Sequence, residues 1–216
     1  MPDIIKKKKI TVPSSMDEIT LRRYQRFVKE TIDTENISEE FIASRICDIF
    51  LDIETTEVMR MTMGTMLKVS TKIAEVLNQK PELIPIFKMG DTEFGFIPKL
   101  EDMTFGEYVD LDSFVSDWST MHKAMAVLFR PIETRYKDKY KIQEYKGDLF
   151  HESMKDMPLS VAMGSLLFFY RLETDLLRTL TGYSEEEENQ QDLVRNGVGI
   201  LAYTPLPKAT SQDSTE

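Results

Sequence analysis

Two histidines, one cysteine and scattered carboxylate pairs are the side chains here that could bind a metal, attack a substrate or move a proton. Their spacing does not assemble them. His122 and His151 stand far apart with no second His or Cys beside either, whereas a metal site needs ligands at short, recurring intervals. His122 follows Trp118 by one helical turn, the setting of a packed, hydrogen-bonded core-edge imidazole; His151, next to Glu152, reads as a surface residue. Cys47 lies among Ile46, Ile49 and Phe50, which predicts a buried, inert thiol. Asp110 and Asp112 form the kind of carboxylate pair that any acidic surface carries. No nucleophile elbow, phosphate loop or dinucleotide fingerprint is present, and nine glycines leave few loops able to cradle a phosphate. The residues therefore predict no catalytic group, no metal and no cofactor.

Charge and softness carry more. A net charge of −10 argues against general nucleic-acid binding, which depends on cations. Lys6 to Lys9 and one helix face bearing Arg22, Arg23, Arg26 and Lys29 are the basic exceptions. Each reads as a solvated surface or, alternatively, as a docking site for something acidic. Met59, Met61, Met63 and Met66 fall within eight residues. They read as adaptable core filler or, more sharply, as a pliable partner-binding face. Phe168 and Leu176, on a long apolar helix, are the other candidate contacts.

Periodicity supplies the elements that would position these groups. A strand is expected over Ile10 to Val12, closed by Pro13. A helix over 20–32 follows, with Leu21, Tyr24, Val28 and Ile32 on its apolar face. A second runs from Asn36 or Ser38 to about Leu51, and a third over 58–77 is divided at Gly64. Leu83 to Phe87 and Thr92 to Ile97 flank a glycine turn, a hairpin signal. Thr104 is an N-cap candidate for a helix carrying Phe105, Tyr108 and Leu111 or Asp112 at helical spacing. A helix from about Asp117 places Trp118, Met121, Met125 and Leu128 on one stripe and stops at Arg130-Pro131. Tyr140 to Tyr145 has strand character, Asp148 to Asp156 reads as a short helix, and Leu159 to about Leu180 is the longest helix. Asp17 to Tyr24 repeats the pattern of Glu101 to Tyr108 (two acids, apolar, Thr, apolar, two variable, Tyr), either by chance or as a pseudo-repeat.

The expected fold is predominantly helical α+β: six or seven helices and a small antiparallel sheet from residues 10–12, 83–97 and 140–145. Residues 1–9 form a basic arm, 10–182 a single domain and 183–216 an acidic, flexible tail containing an apolar patch, Val198 to Tyr203. A lone cysteine fits a reducing compartment. The apolar run after Lys9 is too short for a secretory leader. The longest one, Leu159 to Tyr170, falls well short of the roughly twenty residues that span a bilayer.

Two phrases, Thr104 to Leu111 (TFGEYVDL) and Val127 to Ile132 (VLFRPI), resemble small proteins of tailed bacteriophages, as does the opening stretch 10–27. Such proteins are usually tail-assembly chaperones or other virion-assembly components. The resemblance implies a non-enzymatic protein that binds other phage structural proteins: tail tube, tape measure or connector. It would act in the host cytoplasm during assembly or persist in the virion, with a homo-oligomer among its forms. Two other readings stay open: a nucleic-acid-associated phage regulator using Lys6 to Lys9 and helix 20–32, and an enzyme whose titratable groups gather in one acidic pocket.

Overall fold

The computed structural model describes residues 11–32, 38–137 and 139–181, and of residues 32 and 173–181 the backbone alone. The basic arm, Val198 to Tyr203 and the acidic tail lie outside the described residues. Helices predominate and a four-stranded antiparallel sheet completes an α+β fold.

Ser15 caps a short 3-10 turn, and the chain is then tied to a distant segment. Leu21 N donates to Met157 O at 3.0 Å and Leu159 N to Ile19 O at 2.8 Å. This junction launches α1 (Leu21–Ile32) and, far along the chain, α7 (Leu159–Thr181). The expected strand at the start is absent among the described residues: Thr11 and Val12 belong to no strand, and the contact with Pro158 is a single bridge at Thr20. α2 (Glu39–Leu51) is capped by Ser38, which accepts from Phe41 N, and closes with Asp52 in the left-handed region at φ 54°. The segment expected as one divided helix is two, α3 (Thr55–Val58) and α4 (Met63–Leu77). The division falls at residues 59–62, where Thr62 caps α4, and Gly64 sits inside the new helix's first turn.

β1 (Ile86–Met89) and β2 (Thr92–Phe96) form the anticipated hairpin, with Gly90 at φ +59° in its turn. α5 (Phe105–Val115) and α6 (Met121–Leu128) follow. α6 then passes without a loop into β3 (Phe129–Tyr136), which pairs with β2 on one side and β4 (Lys139–Ile142) on the other. The stop at Arg130-Pro131 is thus a switch from helix into an internal strand. A proline fits there because a strand residue's N–H and C=O point the same way. Pro131 O accepts from Gln143 N, so the missing N–H faces the β4 side, just beyond the last paired residue, Ile132. No hydrogen bond to β2 is lost. The short helix expected over 148–156 is a pair of 3-10 turns, Gly147–Phe150 and Ser153–Asp156.

The sheet buries Phe87, Phe94, Phe96 and Phe129, with ring centroids 5.3–5.4 Å apart in successive pairs. Tyr24 on α1 meets Trp118 edge-on at 4.7 Å, and α6 contributes Met121, Met125, Val127 and Leu128 to the same interior. Gly164 lets α7 lie against backbone, since a Cβ there would collide with the carbonyl of Glu82. No helix among the described residues is long and apolar enough to cross a membrane.

Candidate functional site

Helix α5 is built inside out. Its first turn is a capping box: Thr104 Oγ1 accepts from Glu107 N at 3.3 Å, and Glu107 Oε2 accepts from Thr104 N at 2.7 Å. The other carboxylate oxygen of Glu107 meets Arg130 Nη1 of β3 at 2.6 Å, and both side chains are less than a tenth exposed. One turn on, Asp110 accepts from the Tyr145 hydroxyl at 2.8 Å. Burial first, and then that acceptor, push the Tyr145 hydroxyl well above its ordinary range, so it is a permanent donor here. Across the sheet Arg130 faces Gly95, where a Cβ would press into the Tyr140 ring at 2.5 Å.

Because an acid is pinned inward, one apolar stripe of the helix turns outward. Phe105 is 81% exposed, Tyr108 58% and Val109 43%. With Asp112 they stand at i, i+3, i+4 and i+7, one continuous stripe. The repeat noted above makes the inversion plain. In α1 the equivalent threonine, Thr20, also takes the backbone N–H three residues on, from Arg23 at 3.4 Å. Yet Leu21 and Tyr24 are wholly buried, whereas their counterparts Phe105 and Tyr108 are open. The two copies share a cap and present opposite faces. An exposed aromatic stripe on a rigid helix is what a docking surface presents before its partner arrives. Covering the two rings would contribute about 3–5 kcal/mol of apolar transfer. Along the sequence no Lys or Arg occurs between Leu100 and His122, and Glu101, Asp102, Asp112 and Asp117 are exposed; in space, Lys123 Nζ lies 5.3 Å from the ring of Phe114 on the same helix.

The residues singled out from the sequence divide. Met59 and Met63 are 73% and 54% exposed, and Leu67 shares the Met63 face of α4, so a second soft apolar surface exists there. Met61 is half-buried. Met66 is core: it is 8% exposed and its carbonyl accepts from the Cys47 thiol, so it drops out of any contact face. Phe168 lies edge-on to Phe96 at 5.8 Å and covers the sheet, half-buried. The side chain of Leu176 lies outside those described.

The basic face of α1 is largely occupied by carboxylates. Arg22 meets Asp156 at 2.8 Å, Arg23 meets Asp52 at 3.5 Å, and Arg26 meets Glu30 at 2.7 Å and Asp48 at 3.6 Å. Asp48 is itself buried and also takes Arg45 at 3.0 Å and the Thr55 hydroxyl at 2.9 Å. The arginines therefore bind α1 to α2 and to the segment before α7, and Lys29 is left as the exposed cation without a carboxylate among the described residues. Such a face offers little to a phosphate backbone.

His122 is buried, with Gln25 Nε2 donating to its Nδ1 at 3.0 Å and the same nitrogen to Trp118 O at 2.6 Å. His151 is less open than its neighbour suggested: it packs edge-on against Phe114 at 5.8 Å. Among the described residues, no three His, Cys, Asp or Glu side chains are grouped to hold a metal ion.

Helical spacing grouped Phe105 and Tyr108 on one stripe of α5 but did not say which way that stripe faces. The available signal was the second apolar stripe of α5, Leu111, Phe114 and Val115, which competes for the interior. No family model, curated protein or solved structure matches the chain.

Proposed function

We propose that this chain is a non-enzymatic assembly protein of a tailed bacteriophage, acting through protein–protein contacts as a tail-assembly chaperone. The observation that carries the reading is the outward aromatic stripe of α5, held by a buried ion pair. The resemblance supports it at the level of individual residues. Its two phrases, Thr104 to Leu111 and Val127 to Ile132, contain Glu107 and Arg130 respectively, and these two side chains meet at 2.6 Å. The phrases thus encode one unit: a cap, an anchor, and the Phe105–Tyr108–Val109 face that the anchor turns outward. The exposed Met59 and Met63 add a second surface suited to irregular apolar partners.

In this role the protein would cover apolar surface of a tail component, such as the tape measure, in the host cytoplasm until assembly. A permanent ring or adaptor subunit is the other form of the same reading. Co-expression with the products of neighbouring genes tests it, read by solubility of the tail component and by mass-resolved size exclusion. Phe105→Asp with Tyr108→Asp should abolish the complex and leave the far-UV circular dichroism unchanged, since both side chains are solvent-facing. A complex that survives this pair, and also survives Met59→Asp with Met63→Asp, would overturn the proposal. A ring of defined stoichiometry would select the structural form.

A further inference from the structure

We infer that the α5 stripe has a second occupant besides the tail component: the tip of the β3–β4 hairpin of another copy of this chain, in a head-to-tail contact. The inference rests on the reading of the stripe as the docking face and names what covers that face when no tail component is bound.

The hairpin gathers an exposed ring and several cations on one side. β3 pairs with β2 only as far as Pro131 and runs on to Tyr136 with β4 as its paired neighbour. Tyr136 pairs with Lys139 and Thr134 with Lys141, and residues paired across an antiparallel ladder share a face. Tyr140 and Ile142 alternate to the other face, where the Tyr140 ring lies over Gly95. The outer face of the tip therefore presents Tyr136, Lys139 and Lys141 together. Tyr136 is 75% exposed, and Lys137, at φ 53° in the turn, holds its Nζ 5.6 Å from the centre of that ring. With Arg135, four cations fall within residues 135–141, against Glu133 and Asp138 in the sequence. The ion pairs they make, Arg135 with Glu93 at 3.7 Å and Lys141 with Glu133 at 3.6 Å, are solvent-exposed and so weak.

The stripe is the complement. Phe105, Tyr108 and Val109 offer apolar surface, and Glu101, Asp102 and Asp112 are exposed beside them in sequence. Lys123 does not offset these acids. It sits over Phe114, nine residues or two and a half turns beyond Phe105, and so on the opposite side of the helix. Ring can thus meet ring while lysines meet carboxylates. The arginines of α1 are already taken by Asp156, Asp52, Glu30 and Asp48. A net charge of −10 opposes self-association, but screening over about 8 Å at physiological salt leaves the local match to decide at contact.

The two surfaces are separate within one molecule. Six residues of strand, about 20 Å, lie between Tyr136 and Arg130, the residue that anchors α5. One copy can therefore give its tip to a neighbour while receiving another's. Contacts between unlike patches add copies into a ring or an open filament and do not close a twofold dimer. A hairpin tip on one helix belongs to the small, transient class of interface, so a tail component that covers the stripe more fully displaces it.

Mass-resolved size exclusion of the full chain, from about 10 µM to 1 mM, tests this. The parent should grow beyond two copies as concentration rises. Phe105→Asp/Tyr108→Asp and Tyr136→Ser/Lys139→Glu should each stay at one copy, 25.1 kDa. Their equimolar mixture should form a dimer and nothing larger, because one variant keeps the tip and the other keeps the stripe. The milder Phe105→Ser and Tyr136→Ser, which introduce no charge, should each weaken the parent's association about tenfold. A parent that is monomeric throughout sinks the inference, as does association that either face variant leaves intact or a mixture that yields no dimer. The docking reading is decided separately: Tyr136→Ser/Lys139→Glu should still bind the tail component, and Phe105→Asp/Tyr108→Asp should not.

Discussion

Removing the Arg130 side chain's charge tests whether α5 is held as described. Arg130→Met keeps most of the apolar stem but leaves Glu107 buried with the Thr104 N–H as its remaining donor. Both members of the pair are less than a tenth exposed, so little water can replace the lost cation. Breaking a buried pair from one side costs about 3–5 kcal/mol. That is a large share of the 5–15 kcal/mol that holds a typical domain together. Loss of the Thr104 cap alone, by Thr104→Ala, should cost only about 1 kcal/mol. In a domain of this size the Arg130 variant should melt roughly 6–20 °C lower. Trp118, the one tryptophan and 7% exposed, reports urea unfolding by fluorescence, with circular dichroism as the parallel probe. Glu107→Gln combined with Arg130→Met removes both charges and should recover part of the loss, since no uncompensated ion remains. A loss under about 1 kcal/mol for Arg130→Met, or a double variant worse than the sum of the singles, would refute a desolvated anchor.

Three further outcomes follow from the same packing. Burial first, and Lys155 next, bring the pKa of His122 down from 6.5 to about 4. The folded value lies below the unfolded one, so the stability this ring contributes is complete above about pH 6.5 and drains as pH falls towards 4, by up to about 1.4 kcal/mol per unit. Urea midpoints at pH 7.5 and 4.5 should converge in His122→Gln relative to the parent, and an unchanged slope would remove His122 as the cause. Gly164→Ala should destabilise by about 1–3 kcal/mol, because its Cβ meets the Glu82 backbone, which cannot move like a side-chain tip; a neutral effect by thermal melt would show α7 free to shift. Burial pushes the Cys47 thiol up to about 11, so a thiol reagent at neutral pH should label it only as fast as the protein opens. Rapid labelling of the native protein would place it at the surface.

Much of the architecture was legible in the chain because it depends on local chemistry. Ser38 and Thr104 cap helices through their own hydroxyls, Gly90 takes the positive φ that the β1–β2 turn needs, and Met121, Met125 and Leu128 are buried on α6 as their spacing implies, although α6 starts at Met121 rather than near Asp117 and Trp118 is buried in the turn before it. The strand β3 was hidden because Arg130-Pro131 reads locally as a helix stop. Only the arrangement of β2 and β4 around it shows a place where a proline costs no hydrogen bond to β2. The basic face of α1 was legible as a set of arginines, but their partners Asp156, Asp52 and Asp48 come from elsewhere in the chain, and pairing turned an apparent docking site into a fastening. The four methionines were visible as a cluster, and packing alone separated the exposed Met59 and Met63 from the buried Met66.

The α5 site shows the division most clearly. The sequence by itself determined that Thr20 and Thr104 would each start a helix with an apolar residue and a tyrosine following, because a cap needs nothing beyond its own turn. It could not determine which side of each helix would face in. α1 buries Leu21 and Tyr24 against the interior around Trp118, while α5 is rotated by the pull of Arg130 on Glu107 and by the competing claim of Leu111 on the interior. Amphipathic spacing names the faces of a helix; the long-range ion pair and the space left by neighbouring elements choose between them, and that choice put Phe105 and Tyr108 in solvent.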